Sequence, residues 1–78
     1  MPNQETFKIY VQFDHGEQMV ENHTTDSLRN ALFRLVGGPA AKMGIIKEVK
    51  VVDMFDCTNF LWKSDQGLIF PKQEVNHG

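Results

Sequence analysis

The sequence predicts an α+β domain: ββαβββ, a mainly antiparallel sheet of four or five strands with one helix packed on a face, arranged as a grasp-like sheet or as a meander. Three observations carry that prediction. Residues 6–14 alternate strictly between apolar and polar. A single apolar stripe at helical spacing, Leu28, Ala31, Leu32 and Leu35, lies between a start and a stop signal. The last third of the chain is rich in β-branched and aromatic residues on both faces of its strands.

In Thr6–Asp14, Phe7, Ile9, Val11 and Phe13 point one way and Lys8, Tyr10 and Gln12 the other, a half-buried strand. Asp14-His15-Gly16 signals a turn, with Gly16 free to take positive φ. Gln18–His23 returns as a second strand. Met19 and Val20 fall on opposite faces, which leaves the hairpin register open and admits a bulge near Glu17.

Thr24-Thr25-Asp26-Ser27 offers N-cap oxygens, and Asp26 suits the positive end of a helix over about residues 25–36. Its stripe follows the i, i+3, i+4, i+7 rule. Gly37 is expected to take a left-handed cap, and Pro39 to block continuation. Phe33 falls off the stripe, beside Arg29, on the side facing water. Either the connector at 39–44 folds over its ring, or the ring protrudes between Arg29 and Arg34, residue types enriched at binding hot spots.

Ile45–Asp53 reads as a strand with Ile45, Val49 and Val51 on one face and Ile46 and Val52 on the other. Phe60–Lys63 and Leu68–Pro71 form a hairpin across Ser64-Asp65-Gln66-Gly67. With Phe60, Trp62, Leu68 and Phe70 toward the helix, Leu61 and Ile69 face away with Val52. One helix covers one face, so Val52, Leu61, Ile69 and Tyr10 need another partner. A single domain is expected over 1–72, with a polar tail at 73–78.

Composition narrows the function classes. Seventy-eight residues make one small domain, in which association contributes usefully to stability. Eight Lys+Arg against ten Asp+Glu, interspersed, leave no basic run for a phosphate backbone, so nucleic acid is disfavoured as a partner. Tyr10 between Lys8 and Gln12 is the one hint of a base-stacking platform. The single Cys57 points to a reducing cytoplasm. The N-terminus lacks the charged and apolar regions of a signal peptide, and no apolar run reaches bilayer length.

No pattern here specifies chemistry. Asp53, Asp56 and Cys57 with His15 or His23 include metal-capable atoms but no paired ligands at short fixed spacing, and His77 sits in the tail. Cys57 with a histidine is the minimal nucleophile and base, without a following helix N-terminus to lower the thiol pKa. Gly37-Gly38 follows a helix, the reverse of a phosphate-binding loop.

An alternating strand, a Gly turn, a second strand and Thr24-x-x-x-Leu28 opening a helix resemble the start of a ubiquitin-type fold over residues 6–36. The C-terminal hairpin departs from that layout, and no C-terminal diglycine is present. Size and layout also parallel phage- or mobile-element-encoded modulators of host machinery, including anti-CRISPR-type inhibitors. The leading expectation is therefore a non-enzymatic cytoplasmic protein that binds another protein and occludes it, without cofactor, metal or membrane. Tyr10, Arg29, Phe33, Val52, Leu61 and Ile69 are the candidate contact residues. The alternatives are an obligate homodimer holding a small ligand between subunits, and a minor enzyme using Cys57 or His23.

Overall fold

The computed structural model describes residues 5–71; the expected tail at 73–78, with His77, lies outside them. Five strands form one antiparallel sheet: β1 (Thr6–Phe13), β2 (Gln18–Thr24), β3 (Ile46–Val52), β4 (Thr58–Lys63) and β5 (Gly67–Phe70). Helix α1 (Thr25–Val36) and a one-turn helix α2 (Pro39–Lys42) connect β2 to β3. The spatial order is β2-β1-β3-β4-β5. The helical crossover returns β3 beside β1, where the two antiparallel units join into an α+β fold with the expected ββαβββ order.

The first hairpin resolves the open register. Phe13 N–H donates to Glu17 O (2.9 Å), Gly16 N–H to Phe13 O (3.1 Å), and Gly16 takes φ 93°. This is a three-residue turn closed by a glycine in the left-handed region. The pairing then runs without a shift from Gln12↔Gln18 to Thr6↔Thr24, and Gly16 and Glu17 together oppose Phe13, which places the expected bulge near Glu17. Met19 lies opposite Val11, on the inner face, and Val20 opposite Tyr10.

Helix α1 starts as its sequence signals: Thr24 N–H donates to Ser27 Oγ (3.2 Å), and Asp26 sits in the first turn. Its end differs from expectation. Gly37 is right-handed (φ −104°, ψ 0°), its N–H bonded to Phe33 O at 2.9 Å. The steric demand falls on Gly38 instead, where a Cβ would lie 2.2 Å from the Arg34 carbonyl oxygen. Pro39 opens α2 rather than only ending α1, as its fixed φ permits at a first helical position.

The core comprises Phe7, Ile9 and Val11 of β1, Ala31 and Leu35 of α1, and Ile46, Val49 and Val51 of β3. Leu28, Leu32, Phe60 and Trp62 pack against it while remaining partly exposed. Two register shifts correct the expected facings. Between Gln12↔Glu48 and Phe13↔Ile46 one residue of β3 is skipped, which turns Ile46, not Ile45, into the core. Between Leu61↔Phe70 and Trp62↔Leu68 one residue of β5 is skipped, so Phe70 joins Leu61 on the outer face instead of facing the helix. A bulge moves side chains to the opposite face without changing strand composition.

Candidate protein-interaction surface

Helix α1 lies over β2, β1 and β3. An inner-face row crosses the sheet as Met19–Val11–Val49–Trp62–Leu68. Its first three residues lie beneath the helix, whereas Trp62 and Leu68 continue beyond it. The β4–β5 hairpin carries Phe60, Leu61, Trp62, Leu68, Ile69 and Phe70, and none of these side chains is fully buried. By contrast β3, the central strand, buries Ile46, Val49, Val51 and Val52.

Where the helix ends laterally, a groove of about 500 Å³ opens between α1 and β4, bordered by Leu28, Leu32, Phe33, Val36 and Phe60, with Thr25 and Arg29. Phe33 is 68% exposed, so the connector at 39–44 does not cover its ring. Arg29 is the one charged side chain bordering the groove among the described residues. The structure thus brings together two candidate residues on one helical turn and adds Phe60 from the sheet. Strand pairing was needed to find Phe60, because in sequence it reads as ordinary core.

The remaining candidates lie on the outer face. One row there runs Val20–Tyr10–Lys50–Leu61–Phe70. Tyr10 and Leu61 are half-buried, separated by Lys50, whose stem can cover apolar neighbours while its charge stays in water. Val52 belongs to a different row, Lys8–Val52–Thr58, and is only 6% exposed. With Tyr10, Gln18, Glu48, Lys50 and Asp56 it borders a depression of about 390 Å³. Ile69 falls at the register shift and is half-buried. Val52, Leu61 and Ile69 therefore do not form one continuous patch.

The β3–β4 loop adds residues that sequence reasoning missed. The Asp53 carboxylate accepts N–H bonds from Phe55 (2.8 Å) and Cys57 (3.0 Å), and Asp56 takes φ 62°. The Asn59 side chain, followed by those backbone donors, holds the Asp53 carboxyl below its ordinary pKa. The ordered turn presents Met54 and Phe55, the latter 76% exposed. The signal was present as two large apolar residues between aspartates, a composition also read as a loop carboxylate pair.

A polar cluster joins β2 to α1. His23 Nε2 lies 2.7 Å from Glu21 Oε1, and His23 Nδ1 lies 3.0 Å from Ser27 Oγ. Arg34 Nη2 donates to the same Glu21 oxygen at 3.1 Å. His23 foremost, with Arg34, holds the Glu21 carboxyl below its ordinary pKa. The order Ser–His–Glu matches a hydrolytic triad, but Ser27 Oγ already accepts the Thr24 N–H as part of the helix cap. None of the three borders a cavity described above. The cluster pins α1 to the sheet.

The Cys57 thiol is exposed, and its contact is the Phe55 carbonyl at 3.8 Å rather than a histidine. Among the described residues no three His, Cys, Asp or Glu side chains converge as metal ligands, and no helix is long and apolar enough to cross a membrane. No family model, curated protein or solved structure matches this chain.

Proposed function

We propose that this protein is a small non-enzymatic binding module that docks on another protein through the β4–β5 half of its sheet and the adjoining α1/β4 groove. One observation carries the reading: none of the six large apolar side chains of β4 and β5 is buried, whereas β1 buries Phe7, Ile9 and Val11 and β3 buries Ile46, Val49, Val51 and Val52. Apolar surface contributes roughly 25 cal/mol per Å² when removed from water, so a partner covering this hairpin gains most there. Phe33 and Trp62 are the aromatic anchors, and Arg29 selects a partner with a carboxylate at the groove rim.

The mechanism is steric occlusion of the partner's own working surface. The small domain and its layout support the class of phage- or mobile-element-type modulators, anti-CRISPR-like in manner, by analogy of architecture. A lone exposed thiol suits a reducing cytoplasm.

The test is affinity capture from the native host's lysate, comparing the wild type with Phe33→Glu and Leu68→Glu. Both side chains are exposed, so both variants should keep the wild-type far-UV circular dichroism. The reading requires that proteins captured by the wild type are lost with both variants. Unchanged capture by both refutes it.

A further inference from the structure

The two edges of this sheet are unlike. Strand β5 is protected in the usual ways: four residues long, bulged against β4, and followed by Pro71. Strand β2 has seven residues, an unshifted register and neither lysine nor proline. Its backbone phase follows from the hairpin. The Phe13 N–H to Glu17 O bond makes 13/17 a hydrogen-bonded pair, so Met19, Glu21 and His23 turn their backbone groups toward β1. Gln18, Val20 and Asn22 turn theirs to the outer edge, where no strand among the described residues pairs with them.

We propose that β2 is a self-association edge, pairing antiparallel with β2 of a second copy about a two-fold axis at Val20, so that two sheets become one of ten strands. The side chains select both occupant and register. With Val20 opposite Val20, Gln18 faces Asn22, Glu21 faces Met19, and Glu17 faces His23. Apolar then meets apolar at Val20 and amide meets amide at Gln18 and Asn22, while Glu21, already held by His23 and Arg34, faces the uncharged Met19, and Glu17 faces no second carboxylate. Sliding by one step in either direction sets Glu21 against Glu21, or Glu17 against Glu21, and like charges directly opposite oppose pairing. The pairing also covers Val20, which is 48% exposed in the single chain. This inference does not depend on the binding role assigned to β4 and β5, which the dimer leaves free at both ends.

Disulfide trapping in the full chain carrying Cys57→Ser tests the register. Across a hydrogen-bonded antiparallel pair the Cα atoms lie about 5.5 Å apart, within disulfide reach. Val20→Cys should therefore link to itself under mild oxidation. Gln18→Cys and Asn22→Cys should each link poorly alone and readily when mixed. Sedimentation equilibrium should give twice the 8.9 kDa chain mass for the wild type and the single-chain mass for Val20→Lys, with unchanged circular dichroism. A monomeric wild type overturns the proposal, as does a dimer in which Val20→Cys links no faster than Gln18→Cys alone. Neither result touches partner capture through Phe33 and Leu68.

Discussion

Leu35→Ala and Leu32→Ala should separate the packed side of α1 from its open side. Both leucines belong to the helical stripe, and sequence alone assigns them equal weight. In the structure Leu35 is 4% exposed inside the core, whereas Leu32 is partly exposed and borders the groove. Truncating an enclosed leucine loses transfer energy and leaves a cavity, together about 2–5 kcal/mol. At Leu32 part of the transfer energy is absent and solvent already reaches the site, so about 1 kcal/mol is expected. A domain of 78 residues has a total stability of roughly 4–12 kcal/mol at the usual value per residue. Leu35→Ala therefore removes a large part of it. For this size 1 kcal/mol shifts Tm by about 4–8 °C. Thermal denaturation followed by circular dichroism should show a fall of more than about 10 °C for Leu35→Ala and less than about 8 °C for Leu32→Ala. Leu32→Ala should instead weaken partner capture. Equal losses of stability, or a larger loss at Leu32, would refute the placement of the groove beside Leu32.

Gly38→Ala places a methyl group against the Arg34 carbonyl and should cost about 1–3 kcal/mol in urea unfolding, more than Gly37→Ala, whose Cβ would lie 3.0 Å from Phe33 O. Glu21 has a lowered folded-state pKa, so its contribution is present above its ordinary value of 4.5 and lost as pH falls through the folded value; Glu21→Gln should flatten that acid limb of the stability curve. Cys57→Ser should leave both Tm and partner capture unchanged, because the thiol is exposed; loss of capture by the folded variant would give Cys57 a functional role. Leu61→Glu should retain far-UV circular dichroism and disturb contacts of the outer face only, since its neighbours Lys50 and Phe70 lie on that face. If it unfolds the domain, Leu61 is core.

Much of the architecture was legible because it rests on periodicity. The alternation of Thr6–Phe13, the stripe of α1 and the Gly16 turn each follow from short-range geometry that single residues report. The facings of Ile46 and Phe70 were not legible. Both depend on one skipped residue, and a bulge is set by how two strands meet rather than by either strand's composition. The exposed ring of Phe33 could be anticipated from its angle on the helix, but the groove beside it could not. That groove exists because β4 extends past the helix, a consequence of strand order. Val52 faces away from the helix as expected, but its burial was not legible: its row, Lys8–Val52–Thr58, and the depression it shares with Asp56 are products of the tertiary fold.

The incomplete cover over β4 and β5 follows from dimensions. Five strands at about 4.8 Å spacing put the centres of the outer strands about 19 Å apart, whereas a helix with its side chains is about 10–12 Å wide. One helix lying along the strands can shield two or three of them, and α1 shields β2, β1 and β3. Polar side chains on the remaining pair would suit exposure to water. This chain places Phe60, Trp62 and Leu68 there on the inner face and Leu61 and Phe70 on the outer. The two ends of the sheet therefore differ in what they lack. At β5 the edge is blunted while the faces are apolar, which suits a partner laid across the hairpin. At β2 the inner face is served by the helix cluster and the outer face carries Val20 between Gln18 and Asn22, while no described strand pairs with the edge, which suits another strand. Two different deficits at opposite ends of one sheet would allow both proposed contacts at once, without competition for the same surface.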